Sequence, residues 1–230
     1  DKTRDRLRSL AGMRRKISRQ PRRVEYFHQV DDPYAHLAAQ VLTEFIQRYE
    51  VELKIHLVAA PPDAAAPERE RLIRYARFDA AAIAQPLGLK FNDPGQQPGS
   101  ENHRRASEIL AANLEPAAFS EIAPRVGAAL WANATDVILD LANEFATASK
   151  EEMIADLDSG TKRRTKLGHY SGATFYFEGE WYWGVDRLHY LEERLRNEGV
   201  RRDGGSQAII PPRGTIEESL PDQGTAIVLE

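Results

Sequence analysis

The chain has 230 residues, 42% hydrophobic and 29% charged, which is enough to bury a sizeable core and typical of globular proteins. It contains no cysteine, so disulfides, thiolate metal ligands, a cysteine nucleophile and a dithiol redox cycle are all excluded. The net charge of -4 hides an asymmetry: residues 1–23 carry ten Lys/Arg against Asp1 and Asp5, a net +8 that leaves -12 on the remainder.

In that basic arm Leu7, Leu10, Ala11, Arg14 and Ile17 fall at helical spacing, which predicts a short basic helix with a thin apolar stripe. The expectation is an arm folded against the protein's own acidic body rather than one bound to nucleic acid. No run approaches the roughly 18 apolar residues of a membrane-spanning helix. No apolar leader core precedes the fold, and the cytoplasm is the expected compartment.

"VEYFHQV" (24–30) is β-branched and aromatic and reads as a buried strand. From Pro33 the apolar positions Leu37, Val41, Phe45 and Tyr49 repeat every four residues, predicting a helix. "VELKIHLVA" then alternates, with Val51, Leu53, Ile55 and Leu57 on one face, as a second strand. Strand, helix and strand with short links make a right-handed βαβ unit. From Pro67 to about Leu167 the periods are helical, in "RLIRYARFDAAAIAQPLG", "ENHRRASEILAANL", "ATDVILDLANEFAT" and "KEEMIADL", broken by the loop "FNDPGQQPGS". "ATFYFE" and "WYWG" flank a tight Glu178-Gly179 link and predict a hairpin. "DRLHYLEERLRNEG" follows as a helix with Leu188, Leu191 and Leu195 on one face and Gly199 as its stop.

The predicted organisation is therefore a basic arm (1–23), an α/β unit built from 24–62 and 168–199, a helical insertion (63–167) and a linker-like tail (200–230). The final "TAIVLE" is expected to dock on a sheet, either in this domain or as the first strand of a further one.

"GHYSGATFYFEGEWYWGVDRLHYLEERL" (168–195) resembles the C-terminal signature of the DsbA-like thioredoxin family, in particular 2-hydroxychromene-2-carboxylate isomerases and kappa-class glutathione transferases. In that branch a Gly-Val-Pro-Thr-Phe loop precedes a hairpin ending in Trp/Phe-Gly-x-Asp-Arg-Leu, and the spacing here matches without gaps. "EYFHQVDDPYAHLA" and "RYARFDAAAIAQPLGLKF" resemble the family's first strand with its Ser-Pro-Tyr and its first inserted helix. The resemblance implies a thioredoxin-like α/β fold (βαβ…ββα) with a large all-helical insertion, and glutathione as cofactor.

Two positions depart from that pattern. Where the family places cysteine or serine before the helix-starting proline, this chain has Asp32; where it places a cis-proline before Thr-Phe, this chain has Ala173. Asp32 is expected to cap the helix with Pro33 at its first position and to repel a glutathione thiolate. The Gly172-Ala173 peptide is expected to be trans. Asp32 is also the candidate catalytic base, sharing a helix face with His36 four residues on; the alternative is a solvated first turn. Tyr34, Gly172, Ala173, Asp186 and Arg187 are candidates for substrate or glutathione contact by carry-over from the family, with a helix cap as the alternative role of Asp186. His169 and Tyr170 are weaker candidates for the same cleft, and the aromatic hairpin is read as core. The histidines show no metal-ligand spacing and there is no phosphate loop, so no metal is expected.

These readings leave two functions. The favoured one is a redox-inactive, degenerate binding or assembly module, as a homodimer or beside a second domain of the same chain. The other is a glutathione-dependent isomerase or transferase acting on a small aromatic molecule. Disulfide exchange fails for want of a thiol.

Overall fold

The computed structural model describes residues 21–205 and 207–212, together with residues 6, 8–10, 12 and 13 of the arm. Strand β1 (Arg23–His28) leads through helices α1 (Pro33–Ala39) and α2 (Leu42–Arg48) to β2 (Glu52–Leu57). Five helices follow: α3 (Arg69–Ala84), α4 (Ser100–Ala111), α5 (Pro116–Trp131), α6 (Thr135–Glu144) and α7 (Lys150–Lys166). The chain then returns through β3 (Thr174–Phe177), β4 (Glu180–Trp183), a short 3-10 turn (Val185–Arg187) and α8 (Leu188–Asn197).

The sheet order is β2-β1-β3-β4, with β1 parallel to β2 and antiparallel to β3, and β3 antiparallel to β4. This is the thioredoxin-like layout expected, split by a helical insertion. Side chains at even positions of β1 face α1, α2 and α8: Tyr26 stacks on Phe175 with ring centroids 4.6 Å apart, and Leu188, Leu191 and Leu195 close the core. Odd positions face α7, where Glu25 accepts from Arg163 and His56 while Phe27 stacks on His56 at 4.8 Å. Helix α7 lies so close that a Cβ on Gly160 would come 2.0 Å from the Leu57 carbonyl oxygen. One hydrophobic cluster runs through the sheet and the insertion, so the two share a core.

The hairpin turn has Glu178 at φ 45 and Gly179 at φ 93, a mirror-image turn whose twist suits two antiparallel strands. The predicted single helix from Pro33 is two helices, because the chain breaks at Gln40 and Val41. There the Gln40 amide both donates to the Lys90 carbonyl and accepts from the Lys90 N–H, each at 2.9 Å, tying the break to the insertion. Helix α5 lay within the segment read as helical but outside its quoted periods. It carries Pro116 at its start and Pro124 inside it, and it buries Phe119, Ile122, Ala123, Val126, Ala129 and Leu130 at helical spacing opposite exposed Glu121 and Arg125.

The tail departs from the linker expected of it. Tyr49 bridges to Arg201, Glu50 N–H donates to the Val200 carbonyl, and Ile210 is buried. The fully buried Glu192 carboxylate takes the Tyr49 hydroxyl at 3.0 Å and the Ile209 N–H, so the tail is pinned to α8 as far as residue 210. "TAIVLE" lies outside the described residues. Among the arm's described residues Arg8 donates to both oxygens of Glu180 at 2.9 Å, an attachment to the body of the protein. Among the described residues no helix is long and apolar enough to cross a membrane.

Candidate active-site cleft

Asp32 ends the loop after β1 in an extended conformation and Pro33 supplies the preset φ of the first helical residue. The Asp32 carboxylate accepts from the Tyr34 N–H at 2.9 Å, the N-cap role expected of it. Its other oxygen faces Gly172, where a Cβ would come within 3.0 Å of it and within 2.6 Å of the Gln29 side chain. Only glycine fits there. The loop after β1 and the loop before β3 therefore touch at Asp32.

Burial pushes the Asp32 carboxyl up to about 7, against the lowering effect of the Tyr34 N–H and with help from the neighbouring Asp31 charge. The charge expected to repel a thiolate is thus weakened: a seven-residue helix and one or two amides do not offset the lost water. Near neutral pH the group is a carboxyl as often as a carboxylate.

Beside it lies a cleft of about 120 Å³, walled by Tyr34, Pro61, Leu72, Ile73, Gly172 and Trp183 among others. Tyr34 is held by its hydroxyl, which donates to Asp79 on α3 at 2.8 Å, and its ring meets Trp183 edge-on at 6.0 Å. The proline- and glycine-rich loop contributes Gln97, which donates to the Asp31 carbonyl at 3.2 Å. Buried Arg77 fixes that loop by donating to Asp93 at 2.8 Å and to the Gly95 carbonyl at 3.0 Å.

The Gly172-Ala173 peptide is trans, as expected. Ala173 is buried at φ 52, a left-handed conformation that costs a non-glycine residue about 1–2 kcal/mol, and its carbonyl accepts from the Gly184 N–H at 2.9 Å. That carbonyl is consumed by the fold.

His36 is corrected outright. It does not share a face with Asp32, and it is not solvated: it is buried beside Phe91 and Gly127 with Nε2 3.2 Å from the Lys90 carbonyl. Burial lowers its pKa to about 4, and that of His28, packed on Phe119, to about 3. The reason is local: Asp32 stands outside the helix as its cap, while His36 points from the helix body into the insertion.

Asp186 and Arg187 sit on the 3-10 turn after β4 and lie outside the lining of this cleft. Arg187 lines a separate, more open groove of about 720 Å³ with His169, Trp181, Trp183 and Tyr190. His169 stacks between Trp181 and Tyr170 on that side. Trp183 separates the two concavities and is 49% exposed, a wall residue that the reading of the hairpin as core passed over. The signal was available in the strand alternation: with Tyr182 buried in the core, Trp183 must face away from it. Among the described residues no cluster could hold a metal ion.

No family model matches the chain, and no curated protein matches it. Solved structures do. A 2-hydroxychromene-2-carboxylate isomerase superposes with a TM-score of 0.56 at 18% identity, over 77% of this chain and 96% of that one. A probable DsbA oxidoreductase from Streptomyces coelicolor gives 0.54 at 13% identity, over 81% and 94%. Likeness at such identity is likeness of architecture. The chain has a DsbA-like thioredoxin fold with a helical insertion, and carries it with Asp32 before the helix proline, Ala173 before Thr174, and no sulfur nucleophile.

Proposed function

We propose that this protein is a redox-inactive binding or assembly module of the cytoplasm, resembling 2-hydroxychromene-2-carboxylate isomerase in fold but with its reactive seat filled by its own carboxyl group. The observation that carries the reading is the Asp32 to Tyr34 N–H bond at 2.9 Å, which occupies the helix amide that a thiolate would use. Three further features support it. The chain has no thiol to exchange. The cleft of about 120 Å³ is well below the roughly 300 Å³ of a pocket that engulfs a drug-sized ligand. The Gly172-Ala173 peptide is trans and Ala173 stands at φ 52, so the loop before β3 lacks the cis-proline geometry of the family it resembles.

A second reading, a glutathione-dependent isomerase or transferase acting on a small aromatic molecule, is favoured by one observation: a carboxyl titrating at about 7 in a largely apolar cleft is suited to carry a proton near neutral pH. Calorimetric titration with glutathione separates the two. The module shows no saturable heat into the low-millimolar range. Saturable binding at micromolar to low-millimolar strength establishes the second reading instead.

A further inference from the structure

Three arginines are buried among the described residues, Arg77, Arg164 and Arg194. Two of them meet carboxylates. Arg77 pairs with Asp93 at 2.8 Å; Arg194 pairs with Glu178 at 3.1 Å and Glu180 at 3.0 Å, and lies 4.6 Å over the Phe177 ring.

Arg164, on the last turn of α7, is the most buried of the three at 1% exposure and meets none. Its Nη2 donates to the Ala59 carbonyl at 3.0 Å, and its Nε and Nη1 have no partner. The nearby acid of the sheet, Glu25, is taken by the adjacent Arg163 and by His56. A buried charge is ordinarily balanced by an opposite one, and a guanidinium with idle donors is shaped to bind an oxyanion.

The position of Arg164 says where that anion would enter. Ala59, whose carbonyl takes the Arg164 side chain, precedes Ala60 and Pro61; the Arg164 backbone carbonyl accepts from the His169 N–H at 3.2 Å, and the His169 ring accepts from the Ser171 N–H at 3.1 Å. Ala60, Pro61, Ser171 and Gly172 wall the cleft, so Arg164 stands behind that wall, under the junction of two loops. The 168–172 loop begins at Gly168, at φ 87, where an added Cβ would meet nothing within 4 Å.

We propose that Arg164 anchors a subsite for a small oxyanion, a carboxylate or phosphate group, reached between the 59–61 and 168–172 loops. The inference does not depend on the role of Asp32. His169 reports on the site, since the Arg164 charge is one of the causes that hold its pKa down; an anion on Arg164 cancels that repulsion and raises it.

The test is a titration of the isotope-labelled full chain with acetate, and in a second arm with inorganic phosphate, each against chloride at constant ionic strength. The Arg164 Nε–H and His169 ring signals are followed by NMR, and thermal unfolding is followed in parallel. The expected result is a saturable shift of Arg164 Nε–H, a higher His169 pKa, and a melting temperature raised by roughly 3–6 °C at ten times the dissociation constant, all absent in Arg164→Met. The arm that saturates at lower concentration tells a carboxylate site from a phosphate site. An Arg164 signal unmoved in both arms, or moved equally by chloride, overturns the proposal, as does a response that survives in Arg164→Met. Should that variant not fold, the wild-type signals decide alone.

Discussion

Asp32 is where geometry and solvation pull in opposite directions. The cap bond favours its charged form and burial disfavours it, and burial wins, raising the carboxyl from its ordinary 3.8 to about 7. Because the folded chain holds this proton more tightly than the unfolded chain, its contribution to stability is fully present below about pH 4 and is lost by the time the pH has risen past about 7. His28 and His36 act the other way: kept neutral by burial, they contribute stability above about pH 6.5 that is lost as the pH falls through about 4 and 3. The Asp32 term therefore has to be read as a difference between variants. Asp32→Asn keeps a capping acceptor without the charge; urea unfolding should find it more stable than wild type by on the order of 2 kcal/mol above pH 7, with the gap closing by pH 4. A gap independent of pH would mean that the carboxyl is not buried in solution. Ala173 carries a second residue-scale prediction. Proline cannot adopt φ 52, so Ala173→Pro, which restores the family's residue, should destabilise by more than about 1 kcal/mol, whereas Ala173→Gly should stabilise by about 0.5–1 kcal/mol in the same assay.

Among the elements, the strands and the amphipathic helices were legible because each has one buried face with a clear period. In β2, Leu53, Ile55 and Leu57 alternate with exposed or half-buried neighbours as read. What was hidden was set by tertiary contacts. The break at Gln40 depends on Lys90, fifty residues on, and α5 carries a proline inside it at Pro124. Gly160 is another such case: nothing in "ADLDSGTKR" says that this glycine must meet the edge of β2. Gly160→Ala should destabilise by about 2–4 kcal/mol in chemical denaturation, because the obstructing atom is backbone and cannot turn aside. Site legibility followed the same rule. Asp32 as a cap was found from its place before Pro33, and Tyr34 and Gly172 from the family resemblance, while the burial of His36 and the cleft position of Trp183 required knowing what packs opposite them.

On the scale of the whole molecule, the insertion and the sheet share a single core, and the tail closes it from the far end. Residues 200–205 and 207–210 looked like a linker because they are charged and rich in glycine; their contacts are with α2, far back in the sequence, and with α8 just before them. Glu192 holds that end. Glu192→Ala leaves the Tyr49 hydroxyl and the Ile209 N–H without their acceptor, and should cost about 2–3 kcal/mol and speed hydrogen exchange at Ile209. If the tail were an independent linker, Ile209 would exchange at the open-chain rate in both proteins.

The seat at the start of α1 can be watched directly through the Asp32 side-chain carboxyl carbon in a pH titration followed by NMR. A carboxyl filling that seat titrates at about 7 and carries the Tyr34 amide signal with it. An Asp32 that titrates near 4 while the Tyr34 amide stays still would place the acid in water, leave the amide free for a thiol ligand, and contradict the account.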